Sequence, residues 1–384
     1  MAASRFHSDE LSRATLGFGV DVYRLLTTGN CSNVFISPFS ISSLLSLVGL
    51  GASGSTARQI GTVLGIPTEQ FNSLCLSIKK YLTLLANTKT DIILSSATRM
   101  YVADRVTVLS EFEAKAKELF EADTIKTDFV KDSTAVASRI NGWVAEKTCH
   151  KITNIISEAN LSTVTALLLI NAVHFKGKWT NEFDVHNTSK KRFMTSDHET
   201  IDVKMMTQTD YFKIGRSTNL HCDVIELPYG KRDLSMVVFL PFEAEGLSDL
   251  EDKLSSANLQ QAVRDLQEEE VSLSLPKFRM DSSFELTDVL ASLGMTDAFR
   301  ENVADLSGMD GTRTLFVSRV QHKAFVEVNE EGTEASAVTS MDCVDCASWP
   351  KQFVADHPFM FLITDNRTDV VLFMGRVVKP EHKS

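Results

Sequence analysis

The chain has 384 residues, 43% of them hydrophobic and 23% charged, and a formal net charge of −11. That composition excludes a disordered or collagen-like protein, and an acidic chain of this size is repelled by phosphate backbones, so no nucleic-acid partner is expected. The basic runs Lys79-Lys80 and Lys190-Lys191-Arg192 are too short to change this, and Glu268-Glu269-Glu270 reads as a solvated face.

No Pro-, Gly- or Ser-rich linker, repeat or low-complexity tract divides the chain, so one domain over residues 1–384 is expected. The first ten residues lack the apolar core of a secretory signal, and the longest apolar stretch, near Thr165–Val173, is too short to span a bilayer. Six cysteines (Cys31, Cys75, Cys149, Cys222, Cys343, Cys346) do not make a disulfide framework in a chain this long. The expectation is a cytoplasmic monomer with no membrane partner, able to leave cells only by a non-classical route. The sequons at Asn30, Asn160, Asn187 and Asn366 would matter only on secretion.

Apolar residues at helical spacing predict a first helix over Ser8–Leu26. Asn33–Ile41 reads as a short buried strand interrupted by Pro38, which leads into a helical run over Ser40–Leu50. Ala135–Ile156 is a further helical pattern. Leu167–Phe175, inside a predicted strand Thr165–Trp179, is nearly all apolar, as in a sheet covered on both faces. Asn171 in its middle is a buried polar group that needs partners. Val224–Leu227, Leu234–Leu240 and Val271–Leu275 read as strands, Phe284–Phe299 as helix, and Thr314–Asn329, Phe353–Ile363 and Asp369–Val378 as strands. Helices crowd the first half and strands the second, which gives an α+β fold with large sheets.

The segment from Glu330 to Pro350 is long for a loop in a compact domain, and such loops tend to be functional. From Thr333 to Thr339 nearly every residue is small, and Gly332 sits at the base like a hinge. At period two, Thr333, Ala335, Ala337, Thr339 and Met341 share one side. Glu334, Ser336, Val338, Ser340 and Asp342 share the other, which carries both acids. That is the pattern of a strand with one buried and one wet face. A small-residue surface loop with chance alternation is the competing reading.

Val326-Glu-Val-Asn-Glu-Glu-Gly-Thr-Glu-Ala335 resembles the hinge signature of the serpin superfamily. Five further stretches resemble family blocks and occur in family order. They are Asn33–Ser40, Leu169–Trp179, Ala304–Met309, His357-Pro-Phe359 and Phe373-Met-Gly-Arg-Val377. The likeness covers nearly the whole chain and points to the intracellular, ovalbumin-like (clade B) branch. It implies three β-sheets, eight or nine helices and an exposed reactive-centre loop at about 330–350. It also implies an inhibitor rather than an enzyme: a target protease attacks the loop, forms an acyl-enzyme, and is trapped when the cleaved loop enters the main sheet. Fourteen residues from Gly332 to Asp345 reach roughly 45 Å as a strand, enough to carry a protease across the molecule.

The resemblance assigns a hinge to Glu330, Gly332, Thr333, Glu334, Ala335, Ser336, Ala337, Val338 and Thr339. A bulky or charged residue at Thr333, Ala335 or Ala337 would obstruct insertion, and none is present. Ser336 and Val338 depart from the family's alanine run but belong to the outward side. Ser37, Ser40, Asn171 and His322 match the family's shutter beneath the sheet, and Trp179 and Glu330 its upper breach. The alternatives are a satisfied core network, a core Trp and a solvated Glu.

Two counts place the reactive bond. Counting forward from Gly332 gives Cys346–Ala347, suiting an elastase- or chymotrypsin-like serine protease or a cysteine protease. Counting back from His357 gives Asp345–Cys346, suiting an Asp-cleaving caspase- or granzyme-type enzyme, and Asp345–Ser348 is similar to a poxviral serpin of that kind. Insertion length favours Cys346–Ala347. Cys343-Val-Asp-Cys346 is also a C-x-x-C, but in an extended segment its Cα atoms lie about 10 Å apart, so two free thiols are expected. No phosphate loop, metal motif or cofactor fingerprint is found. A catalytic Ser37–His322 pair lacks a nucleophile elbow, and a non-inhibitory chaperone or carrier is the remaining alternative.

Overall fold

The computed structural model describes residues 10–86, 92–331 and 349–381. One sheet runs in the order β1 (Val34–Ile36), β14 (Val371–Val377), β13 (Phe359–Asp365), β8 (Leu234–Pro241), β7 (Cys222–Tyr229), β6 (Thr200–Ser217), β9 (Gln267–Pro276) and β12 (Lys351–Val354). β5 (Ser189–Met194) pairs with the start of β6. The other sheet has the order β10 (Phe278–Glu285), β11 (Val317–Val328), β4 (Leu167–Gly177), β2 (Ile92–Ala103) and β3 (Asp123–Thr127). Of the three sheets expected, two are joined here by the 18-residue β6, whose beginning pairs with β5 and whose end pairs with β7.

The first half supplies α1 (Glu10–Thr27), α2 (Pro38–Gly51), α3 (Gly54–Val63), α4 (Phe71–Ala86), α5 (Ser110–Phe120) and α6 (Ser133–Lys147). Four shorter helical segments follow, making ten among the described residues. α2 starts where the sequence says it must. Pro38 takes the first helical position, where no N–H is needed, and the Ser37 hydroxyl accepts the Ser40 N–H as cap.

β4 is buried from Leu167 to Phe175 because both faces of its sheet are covered. On one face Phe175 meets Phe373 of β14 and Phe278 meets Phe361 of β13, fixing the two sheets together. On the other, Trp143 of α6 packs edge-on against Tyr101 of β2 and lies under the Arg99 guanidinium. The buried apolar side chains form a contiguous core through both sheets and α1–α6.

Three expectations differ. The Ala135–Ile156 helix stops at Lys147, because Cys149 and His150 turn into the left-handed region, and Ile152 and Ile155 are buried from the segment that follows. Phe284–Phe299 holds the end of β10, a helix over Thr287–Ser292 and a single turn at Asp297–Phe299, broken at Gly294 where φ is +110°. Phe353–Ile363 is two strands, β12 and β13, divided around His357-Pro358.

Gly375 shows why the Phe373–Val377 block has its form. A Cβ there would stand 2.7 Å from the Val34 carbonyl oxygen and 3.0 Å from the Phe361 ring. Gly375→Ala is therefore expected to cost about 1–3 kcal/mol by overpacking, read as a lower thermal midpoint with the far-ultraviolet spectrum unchanged.

Candidate functional site

The site is a seam. β11 and β4 pair directly and in parallel, from Val317 beside Leu167 to Val326 beside Phe175. Parallel ladders have slanted bonds and are slightly weaker per residue than antiparallel ones. At its upper end β11 continues through Asn329, Glu330 and Glu331, where the described chain stops; it resumes at Trp349, two residues before β12. The loop thus leaves from the seam itself.

The middle of the seam is held by polar groups. Asn171 of β4 and His322 of β11 are register partners with no exposed surface. Four bonds close a ring through them. The Ser37 N–H donates to His322 Nε2 at 3.2 Å. His322 Nδ1–H donates to Asn171 Oδ1 at 2.7 Å. Asn171 Nδ2 donates to Ser40 Oγ at 2.5 Å, and the Ser40 N–H returns to Ser37 Oγ at 3.2 Å. Asn171 also donates to Thr98 Oγ1 of β2 at 2.9 Å, and Ser37 Oγ donates to the Leu372 carbonyl of β14 at 2.7 Å. Accepting a backbone N–H at Nε2 fixes His322 as the neutral Nδ1–H tautomer. Burial pushes its pKa down to about 3. A cleft of about 230 Å³ lies alongside, lined by Ser37, Ser40, Leu94, Val173 and Leu372, so the ring is not packed tightly on every side.

Ser37, Ser40, Asn171 and His322 therefore lie in one hydrogen-bonded cluster. The catalytic alternative does not fit them. The Ser37 hydroxyl is bonded to a carbonyl, not to the imidazole, and both side chains are buried away from any substrate.

The exit from β11 is held by a second set. Trp179 stacks on Tyr229 at 4.3 Å between centroids and donates its Nε1–H to the Asn329 carbonyl at 2.9 Å. Glu330 is buried rather than solvated. Its carboxylate meets Lys277 Nζ at 2.5 Å and accepts the Thr188 hydroxyl at 2.8 Å. Burial would raise this carboxyl, but hydrogen bonds from Lys277 and Thr188 hold it below its ordinary range. The Phe183 N–H donates to the Glu330 carbonyl. Gly332, Thr333, Glu334, Ala335, Ser336, Ala337, Val338 and Thr339 lie outside the described residues, as do Cys343, Asp345, Cys346 and Ala347.

Several partners escaped the sequence. Thr98 is found only through the β2–β4 register, and Lys277 only because the turn between β9 and β10 aims it at Glu330. A strap after α6 is also tied to β11. Lys151 reaches Glu327 at 3.5 Å and lies over Phe325, while Lys323 of β11 donates to the Asn154 carbonyl. Beneath it His174 of β4 packs edge-on against Phe325, with neither ring nitrogen partnered. Burial pushes its pKa down to about 4.

A histidine neutral when folded takes up a proton first in the unfolded chain, so its contribution is complete above the ordinary value of 6.5 and is lost as pH falls toward 3. The thermal midpoint is expected to fall more steeply between pH 6.5 and pH 4 in the wild type than in His322→Gln, where the contribution of the His322 imidazole is gone. Asn171→Ala, which strands His322 Nδ1–H and leaves Ser40 and Thr98 without their donor, is expected to cost about 2–4 kcal/mol at neutral pH. Urea unfolding followed by fluorescence measures it.

Residues 13–380 match the family model described as Serpin (serine protease inhibitor). The leukocyte elastase inhibitor of Bos taurus is 39% identical over 380 residues, covering 97% of this chain and all of that protein. Serpin B6 of Macaca fascicularis is 37% identical over 383 residues, again covering 97% of this chain and all of the relative. Uncleaved ovalbumin superposes with a TM-score of 0.89 at 32% identity, covering 96% of this chain and all of ovalbumin. With a family match across nearly its whole length, a seam that opens into the loop, and relatives of the same extent, the chain belongs to the serpin family.

Proposed function

We propose that this protein inhibits a protease once per molecule, by offering residues 332–348 as substrate and inserting the cleaved segment between β4 and β11. The observation that carries the reading is the direct parallel pairing of those two strands below the point where the loop departs. A segment that reverses at the end of β11 and enters the seam runs antiparallel to both neighbours. One parallel ladder is replaced by two antiparallel ones, and the backbone groups of the loop gain partners.

The size of the loop residues follows from the same geometry. Val173, Phe175, Ala324 and Val326 already fill the core side of the seam. Only small side chains such as Thr333, Ala335 and Ala337 can be added there without overpacking. In this reading Ser37, Ser40, Asn171 and His322 are the shutter that parts, Trp179 and Glu330 the breach where entry starts, and Glu330–Thr339 the hinge.

The relatives named as leukocyte elastase inhibitors support an elastase-like target. The reactive bond is placed at Cys346–Ala347, because a small residue before the bond suits a small apolar pocket. An Asp-cleaving caspase- or granzyme-type target would require Asp345–Cys346.

Incubation with leukocyte elastase, chymotrypsin, granzyme B and a caspase is expected to give a complex stable in SDS with at least one. The released fragment is expected to begin at Ala347; one beginning at Cys346 moves the bond. If no panel member is captured, the inhibitor reading is wrong. Thr333→Arg is expected to be cleaved at the wild-type rate without trapping the protease, seen as a stoichiometry of inhibition raised more than tenfold.

A further inference from the structure

We propose that His174 is an acid-sensitive latch: a proton taken up on its ring lifts the strap after α6 and lets β4 and β11 begin to part. The register sets Ser95 of β2, His174 of β4 and Phe325 of β11 in one row across the sheet. The row faces α6 and the strap. Arg99 and Tyr101, an even number of residues along β2 from Ser95, meet Trp143, and Lys323, two residues before Phe325, bonds the Asn154 carbonyl. The strap touches both ends of the row. Cys149 Sγ lies 3.8 Å from the Ser95 hydroxyl, and Lys151 Nζ lies 5.6 Å from the centre of the Phe325 ring. His174 stands between these contacts and is 2% exposed.

Packing alone does not call for a histidine there. Its ring meets Phe325 edge-on at 5.4 Å between centroids, and neither nitrogen has a hydrogen-bond partner among the described residues. Phenylalanine would make the same contact without enclosing two polar atoms, which costs free energy. His322, by contrast, has both nitrogens bonded. What the His174 imidazole adds is a proton site that titrates between mildly acid and neutral pH. An imidazolium in the closed sheet would need acceptors for two N–H groups. The strap presents Lys151 and the Cys149 thiol, β11 Glu327, β10 Arg279 over the Phe325 ring, β4 its own Lys176, and β2 the neutral Ser95. The one carboxylate in that set is already taken by Lys151 at 3.5 Å.

Burial, and after it Lys151, keep the ring neutral down to about 4, against the pull of Glu327. Lifting the strap gives the ring water, and its ordinary value of 6.5 returns. Between those two limits lifting takes up a proton, so it is favoured as pH falls through them. The equilibrium moves toward the lifted form roughly thirtyfold between pH 7.5 and pH 5. At neutral pH the lifted form is a minor state, because it uncovers Ile152 and Ile155, which are buried. The polar ties that must break are weak. They are the Lys151–Glu327 pair, with side chains 40% and 28% exposed, and the Lys323–Asn154 bond. The consequence for insertion rests on the inhibitor reading: the same lift clears the seam for a guest strand, so insertion runs faster in acid.

Hydrogen exchange of the intact protein, read by mass spectrometry and corrected for the intrinsic effect of pH, tests the latch without any protease. Amides of residues 148–156 and 322–328 are expected to open roughly thirtyfold more often at pH 5 than at pH 7.5, with those of β13 little changed. His174→Phe is expected to fold with a thermal midpoint at pH 7.5 no lower than that of the wild type. Its strap is expected to respond to acid by less than about twofold. His174→Gln, which does not titrate in this range, is expected to lose the response as well, and it decides the matter if His174→Phe misfolds. His322→Gln is expected to keep the response. Wild-type exchange that changes less than twofold in the strap overturns the proposal. So does a full response in a folded His174 variant, or a rise spread evenly over the chain. Capture of no protease beside an acid-opened strap would remove the inhibitor reading and leave the latch standing.

Discussion

The structure depends on one ladder that is complete without being the best available to it. β4 and β11 lie side by side in parallel, with a polar ring rather than a run of leucines across their middle. Each group in the ring has its partner, so the closed sheet is a satisfied state. Yet the bond from His322 to Asn171 crosses the seam and is among the first to break if the strands part. A sheet sealed by apolar side chains would lose buried area at every step of opening. A sheet sealed by a few directed bonds beside a cleft can part there and re-form around a guest strand.

A second lock sits at the exit, seven residues up β11 from His322, or about 23 Å away in a strand. There Trp179 holds the Asn329 carbonyl, and Glu330 is clamped by Lys277 and Thr188. The Lys151–Glu327 pair and the Lys323–Asn154 bond tie the segment after α6 to β11 between the two locks. In the proposed reading these bonds must be released before the loop can enter, and they act as a kinetic barrier.

Much of this was legible in the sequence where one residue contradicts its surroundings. Asn171 stands alone in an apolar run, so its need for partners was plain, and Pro38 after Ser37 marked a helix start. The small-residue tract after Gly332 stated its own steric requirement. What could not be read was pairing. Thr98 looks like any threonine until β2 is laid beside β4. Lys277 looks solvated until the turn between β9 and β10 brings it to Glu330, and that same pairing buries a glutamate that looks surface-bound. The false helix at Phe284–Phe299 has a physical cause as well. Phe284 pairs opposite His322 at the end of β10, while Leu290 and Phe299 pack from two different short helical turns, and their spacing imitates one long helix.

The central claim is that the seam accepts a strand that the protein itself supplies. Cutting the loop with a protease that is not trapped, then heating intact and cleaved protein side by side, tests it most directly. The account requires the cleaved form to melt higher by roughly 20 °C or more, since two antiparallel ladders replace one parallel ladder over some ten residues. A cleaved form that melts at or below the temperature of the intact protein would contradict it.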